Sequence, residues 1–234
     1  MTDRQIRASR LLLEGLVVVA SILIAFALDA WWSQRAEART EAAHLRALRS
    51  DFQENVARLQ SLIAREDATA DASRRLLVVA STPRMPSPED SLNNLLGRVL
   101  NSGRLDPVMG AYEAVVSSGG LAQVQDDSLR LALADFASLV HDRYWERYSD
   151  EMYFDLVRSF TGQLGLSSAV LALDSSATKG ALAGAGFNSQ LLTNPKFHEH
   201  LALRYLAERD VASAYRGLLE KAERVLMLTE RALR

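Results

Sequence analysis

The N-terminal part of the chain carries one long run of apolar residues. Residues 11–32 read LLLEGLVVVASILIAFALDAWW, and no charged residue occurs between Gly15 and Leu28. A helix of this length measures ~33 Å, which is enough for the ~30 Å hydrocarbon layer of a bilayer. Trp31 and Trp32 end the run, as aromatic residues do where lipid meets water. The pattern predicts a single transmembrane helix over 11–32, after a short basic N-terminus over 1–10.

A cleaved signal peptide is the alternative interpretation of this segment. The first ten residues hold three arginines, and Ala25-Phe26-Ala27 has the small residues of a cleavage site. The length of the run and the helical pattern that continues past Trp32 favour an uncleaved anchor. The positive-inside rule favours a cytoplasmic N-terminus in a bacterial inner membrane and a periplasmic location for 33–234, although arginines that follow the span nearly balance those that precede it.

Some residues of the predicted span favour contact with a partner helix. Glu14 and Asp29 are carboxylates, and burying an ionisable group in lipid is expensive. Both lie near an end of the run, so the alternative is a side chain that extends outward to water. Ser21 and Ala25 form a small-xxx-small pair, which lets two helices approach closely. The predicted contact residues of this segment are Glu14, Gly15, Ser21, Ala25, Asp29, Trp31 and Trp32.

Beyond the span, apolar residues recur every three or four positions, which is the period of an α-helix. A long helix is predicted over 33–81, and a loop with three of the five prolines follows it. Helix starts are then predicted at Ser87, Asp106, Asp126 or Asp127, and Asn194. No segment alternates with a period of two for long. The predicted fold class is therefore all-α, with a helical bundle over 82–234 that packs against 33–81. The apolar face of the long helix and the seam of the last helix are predicted to comprise Leu45, Leu48, Phe52, Val56, Leu59, Leu62, Ile63, Val211, Tyr215, Leu218, Ala222, Val225 and Thr229.

The composition excludes several classes of function. The 234 residues include no cysteine, so thiolate metal sites and cysteine nucleophiles are absent. The net charge is −2, which gives no overall field to recruit nucleic acid. The four histidines have no metal-binding spacing, and no nucleophile elbow, zinc motif or dinucleotide fingerprint occurs. We expect no catalytic residue, no cofactor, no metal and no enzymatic activity.

A polar group on a short predicted helix is the main candidate interaction patch outside the span. Tyr112 and Glu113 begin it, and Ser117 and Ser118 lie about a turn further on. The alternative is a tyrosine that packs in the core and a Ser-Ser-Gly-Gly run that ends the helix. Two aromatic residues, Trp145 and Tyr153, fall off the apolar stripe of a long helix predicted over 126–160. They are candidate interface anchors.

Three stretches of the chain resemble an uncharacterised family of bacterial single-pass membrane proteins, known as a domain of unknown function. The stretches are Leu12-Leu13-Glu14-Gly15 through Leu28-Asp29-Ala30-Trp31, then Ala111–Leu121 with Leu129-Arg130, and finally Leu191–Phe197. The resemblance implies a membrane anchor and a C-terminal helical domain. It implies no activity.

The sequence alone leaves two candidate functions. The first is a non-enzymatic, membrane-anchored accessory subunit that docks on a larger bacterial membrane complex, with the lipid bilayer and other membrane proteins, or further copies of the chain, as partners. The alternative is a periplasmic ligand-binding or envelope-sensing module that signals through the continuous helix.

Overall fold

The computed structural model describes residues 2–82, 89–101, 103–120, 124–165 and 189–234, with the side chains of these residues except 2–15, 17–18 and 89–91. All regular structure in these ranges is helical, which confirms the all-α prediction. The predicted helix start at Ser87 lies outside the described residues. The elements are α1 (Thr2–Ala80), α2 (Glu89–Val99), α3 (Gly110–Ser117), α4 (Asp127–His141), α5 (Tyr144–Ser159), a 3-10 turn (Ser189–Thr193) and α6 (Pro195–Ala232).

The framework of the fold is an antiparallel pair formed by α1 and α6, the two longest described helices. Two ion pairs fix their direction: Arg49 meets Glu230 at 3.2 Å, and Arg216 meets Asp67 at 2.5 Å. Buried side chains recur at alternating spacings of three and four along both helices, the pattern of a coiled-coil seam. The predicted seam of the last helix is confirmed over its whole length, since Val211, Tyr215, Leu218, Ala222, Val225 and Thr229 are all buried.

Two apolar cores lie along this pair. In the first core, the region of α1 around Phe52 and the C-terminal half of α6 pack with α3 and α4. The rings of Phe52 and Phe136 meet edge to face at 4.8 Å between centroids. In the second core, the end of α1 and the start of α6 pack with α2, the end of α5 and the 3-10 turn. Phe160 and Phe197 meet there at 5.3 Å.

The segment before α3 differs from the sequence prediction. The short helix was expected to start at Asp106, but α3 begins at Gly110. Side chains bind the backbone of the preceding residues instead. The buried amide of Asn55 donates to the carbonyl of Val108 at 2.8 Å and accepts from its N–H at 2.7 Å. Arg58 donates to the carbonyl of Asp106 at 2.6 Å. This segment therefore lies along α1 without helical hydrogen bonds of its own.

The long helix predicted over 126–160 is two helices in the structure. α4 ends at His141, α5 starts at Tyr144, and Asp142 and Arg143 between them leave helical geometry. The guanidinium of Arg143 donates to the carbonyl of Leu105, which is outside either helix. A single unbroken helix would place Tyr144 and Tyr148 on the same stripe as the buried Phe136 and Val140, but both tyrosines are exposed on α5.

Two predicted helix starts are confirmed. The Asp126 carboxylate accepts from the N–H groups of Ser128 and Leu129, at 2.9 and 3.2 Å. The Asn194 side chain accepts from the N–H of Lys196 at 2.9 Å, and Pro195 follows as the first helical residue.

Candidate functional sites

The first candidate site is the apolar segment of α1, defined as Leu16 and residues 19–32. Every side chain described from Val19 to Thr40 is exposed. Phe26 and Leu23 are 68% and 62% exposed, which is unusual for large apolar side chains on a soluble surface. The apolar residues lie on all sides of the helix. Leu23, Ile24 and Phe26 occupy positions one and two apart, and each step along an α-helix rotates the side chain by about 100°. The other exposed large apolar side chains of this segment are Leu16, Val19, Ile22, Leu28, Trp31 and Trp32.

Aromatic and cationic groups lie together at the end of this segment. The rings of Trp31 and Trp32 are 6.3 Å apart, and the guanidinium of Arg35 lies 5.6 Å from the centre of the Trp31 ring. Glu41 of α1 accepts from the N–H of Gln125 at 3.1 Å, where the helix meets the bundle. About 13 Å of exposed helix therefore separates Trp32 from the bundle.

The residues predicted to contact partners in this segment are only partly described. Ser21, Ala25, Asp29, Trp31 and Trp32 are exposed on α1. Glu14 and Gly15 lie on the same helix, but their side chains are outside the described residues. Taking only the side chains that the structure describes, which within 11–32 are Leu16 and residues 19–32, no helix is long and apolar enough to cross a membrane.

The second candidate site is a polar layer between the two cores, formed by Glu66, Ser149, Arg204 and Glu208. Arg204 is fully buried and pairs with Glu208, one turn along α6. Its other donors reach the carbonyls of Val99 at 3.3 Å and Asn101 at 3.2 Å, and the hydroxyl of Ser149 at 2.8 Å. The Ser149 hydroxyl in turn donates to the Glu208 carboxylate at 2.5 Å. The guanidinium therefore joins α6 to α5 and to the chain that follows α2.

Glu66 is the unusual member of the polar layer. Its side chain is 1% exposed, and no donor group in the described residues binds either carboxyl oxygen. Burial, with the nearby Glu208 carboxylate as the second cause, raises the pKa of Glu66 to about 9. Packing at this point is tight, because a methyl group added at Gly103 would lie 3.0 Å from a Glu66 oxygen and 2.8 Å from Leu62.

A second buried hydrogen-bond group lies next to the layer. The Tyr215 hydroxyl donates to the Glu146 carboxylate at 2.6 Å, and the N–H of Leu105 donates to the same oxygen at 3.2 Å. Arg143 completes the group at 3.4 Å from the other Glu146 oxygen. Burial, and then the hydrogen bond to Glu146, raises the pKa of Tyr215 well above its usual range. The group holds α5 against α6.

The predicted patch on α3 is divided between core and helix end. Tyr112 is half-buried against the first core, and Glu113 is exposed. The hydroxyls of Ser117 and Ser118 donate back to carbonyls of their own helix, at 3.2 Å each. Gly119 then takes the left-handed conformation, with φ of 71°, that ends the helix. This geometry favours the alternative in which the serines and glycines stop the helix.

The two aromatic residues predicted on α5 make different contacts. Trp145 is half-buried against the first core, and its indole N–H has no acceptor among the described residues. Tyr153 is half-buried, with the Arg204 guanidinium 5.4 Å from its ring centre. Tyr153 therefore packs on the polar layer.

The polar layer was missed from the sequence, although a signal for it exists. Continuing the spacing of three and four from Leu59 and Leu62 brings Glu66, Thr69 and Ser73 onto the buried face of α1. The same spacing, run backwards from Val211 on α6, gives Glu208, Arg204 and Leu201. Charged residues at these seam positions are the sequence signal for the polar layer.

The chemistry available at the polar layer is confined to the protein interior. Arg204, Glu208 and Glu66 are at most 1% exposed, so a soluble substrate has no access to their charged atoms. Within the described part of the chain, no group of three or more histidine, aspartate or glutamate side chains is placed to hold a metal ion.

The fold and its two sites define a helical-bundle protein whose longest helix extends beyond the bundle as an exposed apolar segment. The chain belongs to the family of unknown function DUF6090, which its residues 14–178 match. No curated protein and no solved structure matches the chain.

Proposed function

We propose that this protein is a non-enzymatic accessory subunit, anchored in the bacterial inner membrane by one span and docked on a larger membrane complex. The observation that carries the proposal is the exposed apolar segment of α1. A contiguous exposed apolar surface of this extent indicates a site that binds a membrane or another protein. Apolar side chains on every side of a helix suit lipid better than a single protein groove, which needs only a stripe.

The end of the segment supports the same location. Trp31 and Trp32, followed by Arg35 and Arg39, have the order of groups found where a helix leaves the hydrocarbon and enters the headgroup region. In this arrangement the bundle stands about 13 Å from the tryptophans, connected by one continuous helix. We propose the periplasm as the location of the bundle.

The buried polar atoms argue against catalysis as the main function. In the polar layer, Arg204 pairs with Glu208 and donates to backbone carbonyls. These buried charged groups are therefore already bound within the protein. A ligand-sensing module remains the second candidate, because α1 joins the apolar segment directly to the first core and the polar layer.

Membrane insertion is tested by two arginines placed in the segment. Leu23→Arg with Phe26→Arg should move the full-length protein from the membrane pellet to the supernatant after alkaline carbonate extraction. Each arginine near the centre of a span opposes insertion by about 2.5–3.5 kcal/mol. The matched control is Leu131→Arg with Leu206→Arg, two exposed apolar positions on α4 and α6 that should leave extraction unchanged. Extraction of the wild-type protein by carbonate would refute a membrane-spanning anchor.

The accessory role is tested separately, by affinity purification of the tagged full-length protein from solubilised native membranes. A fixed set of membrane proteins in constant ratio is the expected result. Glu14→Leu should lower their recovery while the variant stays in the membrane fraction, if this carboxylate contacts a partner helix. Recovery of the protein alone would overturn the accessory role. In that case, ligand-dependent stabilisation of the protein would support the sensing module.

A further inference from the structure

The polar layer contains more negative than positive buried groups. Glu66 and Glu208 bring two carboxyl groups, and Arg204 is the one fully buried guanidinium among the described residues. Two ionised carboxylates would leave a net negative charge in the interior, which is unfavourable because a buried charge loses its hydration. The layer becomes neutral if one carboxyl group keeps its proton.

The hydrogen-bond partners of the two carboxyl groups indicate which of them carries that proton. Glu208 is stabilised as a carboxylate, because it pairs with Arg204 and accepts from the Ser149 hydroxyl at 2.5 Å, and a carboxylate can accept further hydrogen bonds. No donor among the described residues binds either oxygen of Glu66, yet Glu66 lies within hydrogen-bonding reach of Glu208. A carboxyl group without donors is satisfied only if it is itself a donor. Glu66 as the acid and Glu208 as the carboxylate then satisfy both groups with one hydrogen bond.

We propose that the polar layer is a binding site for one proton, held by Glu66 and donated to Glu208, and that this proton locks α1 to α6. Loss of the proton replaces the hydrogen bond with two repelling carboxylates at the centre of the seam. The lock is therefore closed at low pH and weakens as the pH rises.

The surroundings of Glu66 act in both directions. Arg204 on α6 and Arg65 on α1 favour its ionised form, whereas burial and Glu208 favour the acid. On α6, Tyr215 is a buried neighbour whose hydroxyl is engaged by Glu146 of α5. Tyr153 of α5 faces Arg204, and the chain after α2 contributes Gly103 and backbone carbonyls. The balance favours the acid, since Arg204 is occupied by Glu208 and Arg65 lies at an exposed position.

The sign of the pH effect follows from linkage. A glutamate of the unfolded chain has its ordinary pKa of 4.5, and the folded value lies near 9. Between these values the folded state binds one proton more than the unfolded state, so stability falls as the pH rises. The contribution is fully present below the unfolded pKa and is lost through the folded pKa.

The test compares the wild type with Glu66→Gln, which carries a permanent amide donor in place of the acid. Urea unfolding of the full-length protein in mild detergent is followed from pH 5 to pH 9. The unfolding constant of the wild type should rise relative to that of the variant as the pH rises, by about tenfold per pH unit in the middle of this range. Glu54→Gln, at an exposed glutamate of the same helix, should keep the wild-type pH dependence. A ratio independent of pH would overturn the proposal.

Infrared spectroscopy tests the location of the proton without reference to stability. At neutral pH the wild type should show a protonated carboxyl band that is missing in Glu66→Gln. In Glu208→Gln the band should vanish, because Arg204 then pairs with Glu66 and the acid ionises. Absence of the band in the wild type would refute the proton site, and its persistence in Glu208→Gln would refute the sharing with Glu208.

Discussion

Single polar residues on the seam decide how the irregular parts of this protein pack. Asn55 is fully buried at a seam position of α1, where an apolar residue fits the pattern. Its amide binds both the N–H and the carbonyl of Val108. One side chain therefore satisfies both backbone groups of Val108 in a segment that forms no helix.

Replacing Asn55 with leucine tests this role. Asn55→Leu keeps a similar volume but leaves both backbone groups of Val108 without their partner. We expect the free energy of unfolding to fall by about 2 kcal/mol, at roughly 1 kcal/mol for each lost hydrogen bond. Urea denaturation measures it. Gln60→Leu, at an exposed position of the same helix, should change stability by at most about 0.5 kcal/mol. Equal effects of the two substitutions would contradict the assigned role.

Helix ends in this fold are joined to each other as well as capped. The Asp126 carboxylate caps α4 through the N–H groups of Ser128 and Leu129, and it also accepts from Arg231 near the end of α6 at 2.5 Å. The sequence predicted a cap at Asp126 or Asp127, and the structure places it at Asp126. The sequence could not predict the ion pair, because residues 126 and 231 meet only when α4 packs on α6.

The pH dependence of stability should reveal this pairing. The hydrogen bond from Arg231 is the first cause that lowers the pKa of Asp126 below its usual value of 3.8. A carboxyl group with a lowered folded pKa stabilises the fold above its unfolded pKa, and the contribution disappears as the pH falls through the folded value. Asp126→Asn should therefore be less stable than the wild type at pH 7, and the difference should shrink at pH 3.

Urea unfolding at both pH values measures this effect. Asp127→Asn is the matched control, since the neighbouring carboxylate is exposed and bonds within its own helix. The same stability difference for Asp126→Asn at both pH values would show that the ion pair contributes nothing.

At the scale of the whole molecule, two continuous helices connect two cores through one polar layer. The first core holds Phe52 and Phe136, and the second holds Leu96 and Phe197. α1 and α6 run through both cores, and Arg204 binds groups from α5 and from the chain after α2. We expect the cores to unfold together.

Leu96→Ala tests this cooperativity by perturbing the second core alone. Removing a fully buried leucine should lower stability by about 2–5 kcal/mol. In a background with Trp31→Phe and Trp32→Phe, Trp145 remains as the one tryptophan and reports on the first core. Its fluorescence transition in urea should shift as far as the circular dichroism transition. A fluorescence transition that stays in place would mean that the cores unfold separately.

The sequence by itself determined the helical class, the main helical periods, the cap at Asn194 and a cap at Asp126 or Asp127. These depend on spacing and on side chains that bind their own neighbours, so a window of a few residues contains them. It also placed the apolar segment and its tryptophans, whose composition is independent of packing.

Only the tertiary structure decided the break between α4 and α5 and the late start of α3. In both places a side chain binds the backbone of a residue distant in sequence: Arg143, at the break, donates to the carbonyl of Leu105, and Asn55 binds the backbone of Val108 ahead of α3. The polar layer likewise depends on tertiary structure, since the pKa of Glu66 is shifted first by burial and then by Glu208 and Arg204, which reach it only when α6 folds back along α1.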